Sequence, residues 1–191
     1  MARPGTALCA AFALAACTDN AAVKAAPVAS GIPRVPQAPA AGQWVATPDS
    51  LGPIAAGSLY SVVAPAFGGK VRPVPKDPEE QACDYAELPG LPRRVELMVF
   101  GDTIVRIDID TTGVLTRQGL GVGSPESALL TEYWGHVRVE SHPYDGPAWH
   151  YVVVTPGSDS VFRMIFETDG KVVQSYRIGL RRAVDLIEGC S

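Results

Sequence analysis

The chain has no long apolar run. The longest, Ala7 to Cys17, is about half of the ~20 residues a membrane-spanning helix needs. It has no basic excess either: 16 Lys and Arg stand against 20 Asp and Glu, a net charge of −4. A general nucleic-acid binder needs the opposite balance, because it must displace counterions from phosphates. Cysteine is sparse, at four residues, and none has a second one at the CxxC spacing of a structural zinc site. Histidine is limited to three residues, and there is no Gly-x-Ser-x-Gly nucleophile elbow. Multispan membrane proteins, collagens, coiled coils and basic DNA-binding modules are thereby excluded. What the chain does have is 47% apolar and 19% charged residues over 191 positions, enough to bury a core in one domain with a tail.

The front end has the three-part order of an export signal. Arg3 supplies positive charge, Ala7–Ala16 an apolar stretch, and small residues precede Cys17. Leu14-Ala15-Ala16-Cys17 resembles the bacterial lipobox, in which the cysteine is lipidated and becomes the new amino terminus. Several acyl chains on one cysteine, each worth ~0.8 kcal/mol per buried methylene, make a stable anchor. The resemblance, with Thr18 rather than Asp after the cysteine, implies the periplasmic face of the outer membrane. Cys9 would leave with the signal, so Cys83 and Cys190 remain, and in an oxidising compartment they are expected to form a structural disulfide. A loop of about 100 residues closed in this way contributes roughly 4.7 kcal/mol in the chain-entropy model.

Ten of the 17 prolines fall between Pro27 and Pro78, the texture of an extended, semi-rigid spacer. Trp44-Val45 and Leu59–Val63 interrupt it and are expected either to form a short strand or to dock on the domain. The chain therefore divides into a signal segment 1–16, a lipidated, Pro/Ala-rich and partly ordered tether 17–82, and a folded domain 83–191.

Within the domain, Val95–Phe100 and Thr103–Asp110 flank Gly101-Asp102 as a hairpin, and alternation places Arg106, Asp108 and Asp110 outward. Ser124-Pro125-Glu126 supplies an N-cap, a first-position proline and a first-turn acid for a helix to about Trp134, ended by Gly135. Strands are expected over 136–140, 149–155, 161–168 and 171–178, with Asp169-Gly170 as a tight turn. Leu180–Glu188 fits either a short helix or an extended edge. The fold class is α+β: an antiparallel sheet of five or six strands with one short helix packed on it.

The run from Gly119 through Gly121, Gly123, Ser124 and the helix to Gly135 resembles the glycine–capped helix–glycine–strand unit of the SmpA/OmlA outer-membrane lipoproteins. That resemblance implies a small helix-plus-sheet fold serving envelope assembly. Arg106-Ile107-Asp108, Gly121-Val122-Gly123, His142-Pro143-Tyr144, His150-Tyr151, Phe166–Lys171 and Glu188-Gly189-Cys190 are similar to a group of uncharacterised proteobacterial periplasmic proteins, some labelled lectin. This second likeness implies a fold and an address rather than an activity.

Chemistry-bearing residues concentrate in one loop, where His142, Tyr144, Asp145, Trp149 and His150 lie within nine residues. They read as a binding rim, with aromatic faces for a sugar or peptide and polar groups for hydrogen bonds. The other reading is a packing loop turned at Asp145-Gly146-Pro147. A zinc site from His142, Asp145 and His150 has suitable ligand types but no familiar spacing. Asp108 and Asp110, about 7 Å apart along a strand, match a glycosidase pair only in distance. Gly119-x-Gly121-x-Gly123 lacks the Lys of a phosphate loop.

The expectation is a non-catalytic, outer-membrane-anchored lipoprotein without cofactor or metal, meeting the membrane through its lipid and an envelope protein through its sheet. The alternative is a carbohydrate- or peptidoglycan-binding module using the 142–150 loop.

Overall fold

Short runs of β-branched and aromatic residues, broken at glycines, set the elements along the chain. The computed structural model describes residues 44–71, 83–157 and 161–190; the signal segment 1–16, Cys17 and tether residues 18–43 and 72–82 lie outside them. The first stretch carries β1 (Val45–Thr47), β2 (Ser50–Leu51), β3 (Ile54–Ala55) and helix α1 (Tyr60–Ala66). The second carries β4 (Cys83–Ala86), β5 (Val95–Phe100), β6 (Thr103–Ile109), β7 (Leu115–Thr116), helix α2 (Glu126–Glu132), β8 (Val137–Ser141) and β9 (His150–Val154). The third holds β10 (Phe162–Thr168), β11 (Val173–Leu180) and the short helix α3 (Arg181–Val184).

Seven strands form an antiparallel sheet in the order β4-β5-β6-β11-β10-β9-β8. Four more form a mixed sheet, β3-β2-β1-β7, in which β1 and β7 run parallel. The fold is α+β as expected, but larger than five or six strands and one helix. The seventh strand of the main sheet is β4, which begins at Cys83 and continues the meander beside β5.

Residues 44–71 lie inside the 17–82 tether of the sequence reading, where Trp44-Val45 and Leu59–Val63 are expected to form a short strand or to dock; Val45 opens β1, and the apolar side chains of this stretch reach the core. Trp44, Leu51, Ile54, Tyr60, Val63 and Phe67 are buried in one cluster with Ile104, Ile107 and Phe166. The β5–β6 hairpin turn fastens this segment. Asp102 accepts hydrogen bonds from the backbone N–H and hydroxyl of Ser61 (2.9 and 2.5 Å), and its carbonyl accepts from Tyr60 N (2.7 Å). The turn thus caps α1, whose own Leu59 offers no capping side chain.

Alternate residues give the main sheet two faces. One packs Leu97, Ile107, Val152, Met164, Phe166 and Ile178 against α1, α2 and the small sheet. The other was expected to be charged and solvent-facing; instead α3 and the chain end lie over it. Arg106, Arg163 and Arg177, each only 5% exposed, point into that layer. Arg106 Nη1 donates to the carbonyls of Ala183 (3.0 Å) and Leu186 (2.8 Å), and Nη2 to the Tyr85 hydroxyl (2.6 Å). Arg177 Nε donates to the Val184 carbonyl (2.7 Å), and Arg163 pairs with Asp185. The Cys83–Cys190 disulfide, with Cα atoms 5.2 Å apart, pins the end of this cover to β4. Asp110 stays at the surface, paired with Arg94.

A bulge aims Arg106 into this layer. Met98 pairs with Arg106 but Val99 with Ile104, so Val105 and Arg106 both turn to the covered face. Gly179 lies opposite, at φ +136°, and a Cβ there would meet the Val105 carbonyl oxygen at 2.5 Å. Only glycine fits that approach.

Candidate functional site

The 142–149 loop joins β8 to β9, closed by His142 N donating to the Trp149 carbonyl (2.9 Å). The structure brings together His142, Tyr144, Asp145 and Trp149. The His142 side chain is buried, with its ring centroid 4.6 Å from Tyr151 and 6.2 Å from both Tyr144 and Trp149, the last two approached edge-on. Its Nδ1 lies within reach of the backbone N–H groups of Asp145 (3.1 Å) and Tyr144 (3.3 Å) and of the Asp145 carboxylate (3.0 Å). Unprotonated, that nitrogen accepts from the backbone; protonated, it donates to Asp145. Tyr144 donates its hydroxyl to Glu188 (2.7 Å), and the carboxylate beside it holds the phenol above its ordinary pKa. The loop is therefore tied to the C-terminal cover.

His150 does not join this group. It lies on the opposite face, where its Nδ1 is 2.9 and 3.1 Å from the two oxygens of Glu126, which also accepts from the Thr168 hydroxyl. Successive strand residues face opposite ways, so closeness in sequence did not mean a shared site. His142, Asp145 and His150 form no zinc site, and no cluster of three or more metal-ligating residues occurs among the described residues.

The glycine run also departs from its sequence reading. Helix α2 starts one residue later than expected and takes Pro125 as its cap, while the Ser124 hydroxyl accepts from Gly121 N (3.0 Å). Gly119 N and Gly123 N donate to the carbonyls of Thr116 and Val173. A Cβ at Gly121 would meet the Val114 carbonyl at 2.4 Å, so this glycine serves close packing. Glu126, expected only as a first-turn acid, is the partner of His150 and Thr168. Asp108 sits by Arg106 (Nε to Oδ2 3.0 Å), and burial, partly offset by that guanidinium, raises its pKa.

Two surface features stand apart from these internal contacts. The first is β8, the edge of the main sheet, whose residues after Val137 are all exposed. Thr155 N donates to the His136 carbonyl and His142 N to that of Trp149, so the even-numbered residues bond inward to β9. Val137, Val139 and Ser141 consequently turn their backbone N–H and C=O groups outward, and no strand among the described residues pairs with them. The second is a groove of about 530 Å³ on the covered face, running from His136 and Arg138 past Val153 and Thr155 to Arg163 and Arg181. The sequence signal for the buried cations was an arginine between apolar neighbours in each of three strands: Val105-Arg106-Ile107, Phe162-Arg163-Met164 and Tyr176-Arg177-Ile178.

Among the described residues, no helix is long and apolar enough to cross a membrane. No family model matches the chain, and no curated protein or solved structure matches it significantly.

Proposed function

We propose that this chain is a non-catalytic protein-interaction module of the cell envelope, anchored through lipid on Cys17 to the periplasmic face of the outer membrane. The observation that carries the interaction reading is the open edge of β8, where three residues offer outward backbone groups and Val139 is 45% exposed. Such an edge is a template for strand addition by a partner. The export-like front end and the Cys83–Cys190 bridge, which suits an oxidising compartment, support the address.

The test is crosslinking in intact cells followed by affinity purification and mass spectrometry. Enrichment of one envelope protein is expected with the native chain and not with Cys17→Ala or Val139→Pro. The proline removes an outward donor while sparing the inward ladder, so folding measured by circular dichroism should persist. Undiminished capture by Val139→Pro would defeat the edge reading. Capture of glycan strands instead, abolished by Tyr144→Ala, would favour the carbohydrate- or peptidoglycan-binding alternative, for which the observation is a Tyr144 ring 65% exposed at the loop tip.

A further inference from the structure

The groove beside β8 has chemistry that the edge reading does not explain. Three guanidinium groups, Arg138, Arg163 and Arg181, line it, with His136 at one end. Two carboxylates answer them. Glu140 pairs with Arg138, and Asp185 is shared between Arg163 and Arg181, the latter at 3.7 Å. The chain as a whole is acidic, at −4, so this cationic surplus is local. Arg163 is 95% buried by its 5% exposure, and its Nε has no hydrogen-bond partner. An orphaned buried donor is costly, and charged donors most of all. That Nε is itself closed to solvent, so an oxygen ligand entering the groove would meet instead the Arg138 and Arg181 guanidiniums, whose side chains are about half exposed.

We infer that the groove receives carboxylate side chains of an acidic, extended segment of the partner protein. This rests on the reading of β8 as the docking edge. Arg138 lies on that strand between Val137 and Val139, whose backbone groups face outward. A strand added there would send alternate side chains toward the covered face, where Arg138 begins the groove and Arg181 ends it. A phosphate-bearing lipid could also satisfy guanidiniums, but it has no backbone to pair with the edge. A peptide uses both features.

The test is fluorescence polarisation of the full-length chain with a labelled peptide alternating Glu and Thr, beside its counterpart with Gln in place of Glu. The Glu peptide is expected to bind about tenfold or more tightly than the Gln peptide, a difference of at least one charge-assisted contact. Arg138→Glu combined with Arg181→Glu, both at exposed side chains, should erase that preference, and Val139→Pro should weaken both peptides. Equal binding of the two peptides, with Val139→Pro still disruptive, would overturn the groove assignment and leave the edge reading standing. A Glu preference that survives Val139→Pro but disappears in the double variant would overturn the edge reading alone. Binding of anionic phospholipid vesicles, sensitive to the double variant and without any peptide binding, would overturn the peptide assignment in favour of a membrane surface.

Discussion

The two faces of the main sheet are made from alternate residues of the same strands, yet they are held by different physics. On one face Leu97, Ile107, Phe166 and Ile178 pack with α1 and α2, an attraction proportional to area and indifferent to direction. On the other, two small apolar clusters flank three buried arginines: Arg106 and Arg177 bind specified carbonyls of the last ten residues, and Arg163 binds the Asp185 carboxylate. Arg177 also lies over the Tyr151 ring, 4.9 Å from its centroid. Magnitude and placement therefore come from separate sources here. The dry face supplies most of the stabilisation, while the guanidiniums fix where the C-terminal cover sits, because a displaced cover would leave buried donors unmatched.

The largest effect should follow from opening the dry face. Phe166 is fully buried, stacks on Tyr176 with centroids 5.1 Å apart and lies 6.2 Å from Tyr133. Phe166→Ala should cost about 3–5 kcal/mol through lost transfer energy and the cavity left behind. Urea unfolding measures this, with all elements lost in one transition. A cost under about 1 kcal/mol would mean that the layer is loosely packed and that the contrast between faces is mistaken.

Removing the clasp should have a smaller and more local effect. The Cys83–Cys190 bridge joins residues 107 apart, and the double replacement by Ser should cost about 2–4 kcal/mol. Hydrogen exchange should show faster opening of β4 and residues 181–190, with β9, β10 and β11 still protected below the global transition. Equal loss of protection across the sheet would show that the cover and the core form one cooperative unit.

The same contrast explains what could be read from sequence. The β5–β6 hairpin was legible because alternation and turn residues act locally; Asp169-Gly170 marked the next reversal, but the turn spans 169–172 rather than two residues and β11 begins at Val173, not Lys171. In residues 44–71 the Ala/Pro texture read as tether and only Trp44-Val45 and Leu59–Val63 stood out; the rest was hidden because its partners, Ile104, Ile107, Phe166 and the α1 cap Asp102, come from later in the chain. Arg106 and Asp108 were placed outward because charge on an alternating strand normally faces water, and the residues that cover them come from the far end of the chain. In the 142–150 loop, composition identified a real cluster around His142. It could not separate His150, which one step of strand alternation turns toward Glu126.

The smallest expected effect is also the most specific, because two aspartates shift in opposite directions according to their region. Asp108, on the covered face, is raised from its ordinary value by burial, with Arg106 opposing. Asp169, in the exposed turn, is lowered because its carboxylate accepts from the backbone N–H groups of Val172 (2.8 Å) and Lys171 (2.9 Å). For Asp108 the folded pKa exceeds the unfolded one, so its contribution is fully present below the unfolded value and is lost as pH rises through the folded one. For Asp169 the order is reversed: its contribution is present above the unfolded value and is lost as pH falls through the folded one. Stability measured in urea from about pH 3 to about pH 7 should therefore move in opposite senses for Asp108→Asn and Asp169→Asn, each relative to the native chain. Asp108→Asn should gain relative stability as pH rises over that range, and Asp169→Asn should lose it. Slopes of the same sign would mean that the covered face is wet enough to solvate Asp108, and the arginine layer would then be a surface network rather than a buried one.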